Sequence, residues 1–217
     1  MTTEPMSAYP VTFDVVPQLT DRNRKTVFFR IFLAIPHLLI LGGAGFGAGW
    51  AATDGVTKYG GGGSGLEGAA MIMAVVAWFG VIFWRQHPRG LWDFAHFYMR
   101  WLARGATYMA LLRDEYPPFG DGDYPITLAV GEFPADQSRD RWSVGLRLIY
   151  AIPHFIVLFF LSIAWLIGTI IAWFAILFSG SYPEGIYRFS VGVIRWSLRL
   201  QAYLLLMRDE YPPFSTQ

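Results

Sequence analysis

The side chains of this chain that could do chemistry come in matched pairs. His37 and His154 each follow a proline inside an apolar stretch, in Ala34-Ile35-Pro36-His37 and Ala151-Ile152-Pro153-His154. Two imidazoles related by a repeat can ligate haem or a metal ion, so these two are the cofactor candidates. Nothing accompanies them, however. The sequence has no cysteine and no His-Glu-x-x-His, and no carboxylate stands at ligand spacing from either of these histidines. The lack of cysteine also excludes a thiol nucleophile and a Cys-held iron–sulfur cluster. A helical proline frees the carbonyl four residues before it, and a histidine that serves the disrupted backbone is the plainer account. No cofactor and no metal are expected.

Asp114-Glu115 and Asp209-Glu210 are the next pairs, each inside Arg-Asp-Glu-Tyr-Pro-Pro-Phe. Adjacent carboxylates at a helix end diverge, whereas general acid–base catalysis needs both groups on one substrate. The Pro-Pro reads as a helix stop, the Tyr and Phe as interfacial anchors, and the charges as partners for nearby arginines. No catalytic constellation emerges, and no enzyme activity is expected.

The arginines carry the remaining chemistry. Arg30 and Arg147 lie just inside apolar stretches, where a guanidinium reaches back to lipid phosphate. At about 100° per residue, Asp93, His96, Arg100 and Arg104 share one helical stripe, and Glu184, Arg188, Arg195 and Arg199 share another. Aromatic residues, among them Trp101 and Trp196, surround both stripes. Basic, aromatic-rich amphipathic helices lie in membrane interfaces; the rival reading is a third spanning helix in each unit whose arginine stripe faces a bundle interior, at the cost of charges at mid-membrane. Arg30, Arg100, Trp101, Arg104, Arg147, Arg195, Trp196 and Arg199 are therefore the expected lipid-binding residues.

The elements that position these groups are apolar. Of 217 residues, 54% are hydrophobic and 15% charged, with a net charge of +1. Soluble domains carry about 25% charged residues, and nucleic-acid binders a strong basic excess, so neither class is expected. Thr26–Trp50 with Leu66–Trp84, and then Trp142–Phe178, are long enough to enter a bilayer whose apolar core takes about 20 helical residues. In the second region Arg147 is the only formal charge. Its 37 residues would make a helix about 55 Å long, which suggests two helices with a turn near Phe160–Ile163. Met1–Arg24 lacks the apolar core of a signal peptide.

The chain is one unit written twice. Tyr9-Pro10-Val11-Thr12 recurs as Tyr124-Pro125-Ile126-Thr127, and Ala77-Trp78-Phe79 as Ala172-Trp173-Phe174. Arg100-Trp101 recurs as Arg195-Trp196, and Arg113–Phe119 recurs without change as Arg208–Phe214. The expected fold is an all-α integral membrane protein of two tandem pseudo-symmetric units, residues 1–119 and 120–217. Each unit has a short extended or strand segment, Tyr9–Val16 or Tyr124–Phe133, then a transmembrane helical hairpin and an amphipathic interfacial helix. The first unit carries a Gly-rich insertion at 42–68, whose Gly43/Gly47 and Gly45/Gly49 spacings suit close helix approach. Arg22, Arg24, Lys25, Arg85, Arg89, Arg139 and Arg141 flank the hairpins, whereas the 55–65 loop offers only Lys58. The positive-inside rule then puts the termini in the cytoplasm of a multi-pass protein.

Ala-Ile-Pro-His in a first helix, Pro-x-Gly before an amphipathic helix, Arg-Trp within it and Asp-Glu-Tyr-Pro-Pro-Phe at its end together resemble a bacterial integral-membrane family described as a domain of unknown function. The resemblance runs from about Tyr9 to Phe214. It implies tandem hairpin units in a bacterial inner membrane and carries no reaction with it. The expected role is a non-enzymatic scaffold or accessory subunit that binds other membrane proteins, or itself, and anionic lipid. The alternative is a small transporter or lipid-translocating protein, since internal repeats recur in transport folds.

Overall fold

The computed structural model of the chain describes residues 9–41, 65–84, 88–120, 122–132 and 141–217. Their order is β1 (Thr12–Val15), α1 (Arg24–Phe28), α2 (Arg30–Leu41), α3 (Gly65–Trp84), α4 (Arg89–Met109), β2 (Ile126–Ala129), α5 (Arg141–Ser179) and α6 (Glu184–Leu204). The Gly-rich motifs expected at 42–64 lie outside the described residues.

Helix ends follow local chemistry. The Asn23 side chain caps α1 by accepting from the backbone N–H groups of Lys25 and Thr26. Pro88 and Pro183 immediately precede α4 and α6, with φ of −62° and −63°, which the pyrrolidine ring fixes. Two residues past each helix stands a leucine in the left-handed region, Leu111 (φ 59°) and Leu206 (φ 60°). That conformation costs a non-glycine residue on the order of 1 kcal/mol. Both side chains are fully buried, and the buried apolar area offsets the strain.

The elements form three layers. α4 and α6 pack side by side in the middle. The small sheet covers one face, where β1 and β2 pair antiparallel with Thr12 opposite Ala129 and Phe13 opposite Leu128. Phe13 and Val15 point into the core, and Thr12 and Asp14 point outward. The apolar helices α1, α2, α3 and α5 cover the other face. The strands expected in Tyr9–Val16 and Tyr124–Phe133 thus form, but in one shared sheet.

Two expectations are corrected. The turn near Phe160–Ile163 is absent, and α5 runs unbroken from Arg141 to Ser179. No glycine or proline stands at 160–163, and Pro153 is accommodated inside the helix, so nothing local breaks it. Second, α4 and α6 lie between the other layers, and much of each is buried. Arg104, Arg195 and Arg199 of the stripes face the strands and the chain's own tails, whose carbonyls match the guanidinium donors.

Among the described residues α5 is the one helix long and apolar enough to cross a membrane, over Val144–Ser179. The apolar part of α3, Gly68–Phe83, is shorter. A core helix of a soluble protein passes the same length test, but only 6% of the most apolar window of α5 is buried. Its buried positions form one stripe, Val144, Arg147, Ala151, His154, Trp165, Ala172 and Ile176, spaced as one face of a helix.

The two units are interleaved. β1 of the first lies on α6 of the second, and β2 of the second lies on α4 of the first. The Tyr9 hydroxyl donates to the Glu210 carbonyl at 3.2 Å, and the Tyr124 hydroxyl to the Glu115 carbonyl at 3.1 Å. In the outer layer Trp78 Nε1 donates to the Val144 carbonyl and Trp173 Nε1 to the Val27 carbonyl, both at 3.0 Å. Ala77 and Val81 pack with Val144 and Leu206, and their repeat equivalents Ala172, Ile176, Val27 and Leu111 lie together in the main core.

Candidate functional site

The chemistry-bearing pairs gather into two matched clusters, one per unit. In the first, α2 presents Arg30 and His37 on one face, about two turns apart, and the heptapeptide 113–119 folds back over them. Arg30 Nη1 donates to the Arg113 carbonyl at 2.9 Å and Nη2 to Asp114 Oδ1 at 3.1 Å. Its guanidinium lies 3.9 Å from the Tyr108 ring centre, a cation–π distance. In the second, Arg147 Nη1 donates to the Tyr203 carbonyl at 2.6 Å and Nη2 to Asp209 Oδ1 at 2.7 Å, with the Tyr203 ring at 4.3 Å. Both arginines are buried, so they are turned to protein carbonyls and carboxylates.

The histidines sit in equivalent aromatic boxes. Trp101 Nε1 donates to His37 Nδ1 at 3.1 Å, and Trp196 Nε1 to His154 Nδ1 at 3.0 Å. Phe119 stacks on His37 with centroids 4.6 Å apart, Phe214 stacks on His154 at 4.0 Å, and Tyr116 and Tyr211 lean on the same rings. An Nδ1 that accepts leaves the neutral ring's proton on Nε2. Ligation through Nε2 would move that proton to Nδ1, where it would oppose the tryptophan N–H. The two histidines belong to separate boxes. Among the described residues no group of three His, Cys, Asp or Glu is placed to hold a metal ion.

The tryptophan bond is testable. Trp196→Phe keeps an apolar ring but leaves a buried acceptor unpaired, which costs about 1–2 kcal/mol. Denaturant unfolding of the purified chain is expected to show that loss. His154→Phe added to it should recover part of the stability, because both polar partners are then gone.

Asp114 is held by several donors. It accepts from Arg22 Nε (3.1 Å) and Nη2 (2.7 Å), from Arg30, and from the Asn23 backbone N–H at 2.8 Å. Burial opposes its ionisation, but the Arg22 hydrogen bonds, the Asn23 amide and the charges of Arg22 and Arg30 outweigh it. They hold its carboxyl below the usual carboxylate range.

The stripe arginines hold strands and tails. Arg195 Nε donates to the Phe13 carbonyl at 2.8 Å and Nη1 to Thr216 at 3.1 Å. Arg199 Nε reaches Val11 at 3.3 Å and Nη1 the Gln217 carbonyl at 2.6 Å. Arg104 donates to the Gly120 carbonyl, the repeat equivalent of the Arg199–Ser215 contact. The tail comes close enough to α6 at Gly192 that a Cβ there would meet the Thr216 carbonyl at 2.8 Å. Arg100 and Trp101 are half-buried and Trp196 is buried. Arg188 pairs with Glu184 on the surface. Sequence reasoning missed Tyr108, Tyr203, Tyr9 and Tyr124 as partners. Their equivalence across the two repeats was the signal that marks them.

No curated protein and no solved structure matches the chain. The family model described as Domain of unknown function (DUF4389) matches residues 64–120 and 141–216, one segment in each unit and more than half of the chain. With Trp101, Asp114 and Phe119 in the first segment and Arg147, His154 and Phe214 in the second, most of both clusters falls inside the match, and the chain belongs to the DUF4389 family.

Proposed function

We propose that the chain is a non-enzymatic scaffold or accessory subunit of the bacterial cell membrane, which docks other membrane proteins and anionic lipid with its termini on the cytoplasmic side. One observation carries this reading. The outer layer exposes apolar side chains along α2, α3 and all of α5, with Phe32, Ile72 and Phe160 each about two-thirds exposed. A face of that extent has to be covered by lipid or protein. Meanwhile the polar chemistry is turned inward to hold the fold, which is the disposition of a platform. Of the expected lipid-binding residues, Arg30, Arg104, Arg147, Arg195 and Arg199 serve the architecture in this reading. Headgroup contact falls to the exposed cations Arg24, Lys25 and Arg89 beside the apolar layer. The shared sheet supports an arrangement in which both units face the same side.

Native mass spectrometry of the full chain, gently extracted from its own membranes, tests this. The expected spectrum contains a stoichiometric partner protein, retained anionic phospholipid, or both. A chain that emerges bare and monomeric from mild detergent and from polymer nanodiscs alike overturns the proposal.

A further inference from the structure

The outer layer is long for a crossing. Val144–Ser179 comprises 36 residues, about 54 Å of helix, against an apolar bilayer core of about 30 Å. A straight helix would have to tilt by more than about 50° to keep that length in the core, beyond the roughly 0–40° of spanning helices. Apolar side chains face outward near both ends of this stretch. Leu148, Phe160 and Phe178, near its start, middle and end, are 66%, 65% and 79% exposed.

The sheet gives a second constraint. α6 runs antiparallel along α5, with Trp196 bonded to His154 and Ile186 against Gly168. The same stretch of α6 holds β1, since the Tyr187 hydroxyl donates to the Val15 carbonyl and Arg195 to that of Phe13. The sheet is therefore level with the middle of α5, on the far side of α6. Its outward face carries Thr12, Asp14 and Thr127, and the Asp14 side chain is 75% exposed. Were α5 to cross the bilayer, this polar face would sit at mid-depth against lipid, where a carboxylate is costly.

Charge supplies the third. The Arg22 amide donates to the Gly180 carbonyl at 3.1 Å, which brings the start of α1 to the end of α5. Arg24 and Lys25 are exposed there, next to the exposed rings of Phe28 and Phe29. A basic rim around an apolar face complements anionic headgroups.

We infer that α2, α3 and α5 form a raft sunk into one leaflet of an anionic bilayer, with their axes in the membrane plane. The sheet then faces water, α4 and α6 lie between, and the pseudo-twofold axis relating the units runs along the membrane normal. Both heptapeptides are on one side of the membrane. This rests on the membrane reading above and specifies how the protein meets the bilayer.

Because the chain has no cysteine, single labels report depth without background. Leu148→Cys, Phe160→Cys, Ile171→Cys and Phe178→Cys are all at outward-facing positions. Each full-length variant is labelled with a fluorophore in phosphatidylglycerol–phosphatidylcholine vesicles and quenched by lipids carrying spin labels at graded depths. The first and last sites are about 45 Å apart along the helix. An in-plane raft puts all four within about 10 Å of one depth, one helix diameter. Depths that rise to the midplane and fall to the opposite surface overturn the inference and leave the membrane reading standing. Labels quenched by aqueous iodide but not by lipid overturn both.

Discussion

Asp114→Asn is expected to destabilise the chain by about 3 kcal/mol, because it strips the negative charge from two guanidiniums that cannot reach water. The Arg22 and Arg30 side chains are 0% and 3% exposed, and both contact Asp114, itself 11% exposed. Removing one partner from a buried ion pair costs more than the pair contributes, since the charge left behind stays desolvated. The second unit supplies an internal control. Asp209 holds Arg147 in the same way, but the Asp209 side chain is 39% exposed, so water substitutes for it and Asp209→Asn should cost about 1 kcal/mol. Equilibrium unfolding of the purified chain in mild detergent, followed by circular dichroism, measures both. Equal effects at the two positions would show that burial of the carboxylate does not set the cost.

The same carboxylate sets an acid limit. Its folded pKa lies below the ordinary value of 3.8, so the unfolded state takes up its proton first as pH falls. The stabilisation is complete above that ordinary value and disappears as pH drops through the lower folded one. Melting temperature recorded from pH 7 down to pH 2 should fall below about pH 4 in the parent chain, and this fall should be shallower in Asp114→Asn.

Much of the architecture is legible in the sequence because it is written twice. Pro88-x-Gly90 and Pro183-x-Gly185 mark where α4 and α6 begin, and the twin heptapeptides mark the chain just past their ends. Alternation in Val11–Val15 and Ile126–Val130 reveals the strands, since period two is a local property. Repetition conceals partnership, however. An offset relates Tyr9 to Tyr124, but it does not say whether each bonds its own unit's heptapeptide or the other's, and the contacts turn out to be exchanged. The unbroken α5 was obscured for a different reason. Bilayer thickness favours a turn in any apolar run this long, while residues 160–163 contain nothing that would stop a helix, and local helix propensity prevailed. The arginine stripes were visible by periodicity, yet their targets are backbone carbonyls of Val11, Phe13, Thr216 and Gln217, which no side-chain pattern announces.

Exchange of strands and indole bonds carries the largest consequence for folding. Residues 1–120 alone would leave α4 without β2, the Glu115 carbonyl without Tyr124, and the Trp78 indole without Val144. Residues 121–217 alone would leave α6 without β1, and the carbonyl acceptors of Arg195 and Arg199 on Phe13 and Val11 would be lost. A buried polar group without its partner costs about 1–3 kcal/mol. Such losses, added in the first half to the uncovered apolar area of Phe13 and Val15, are comparable to the roughly 5–15 kcal/mol by which a domain is stable. Each half expressed alone is therefore expected to be degraded or to unfold without a cooperative transition. Expressed together, with a tag on one, the halves should co-purify and restore a single transition, because every exchanged contact is regained without the covalent link. Two halves that each melt cooperatively in isolation would mean that the units are independent and merely adjacent. A single unit in this family would then have no need of a second copy, whereas interleaving requires that a one-unit relative pair with itself.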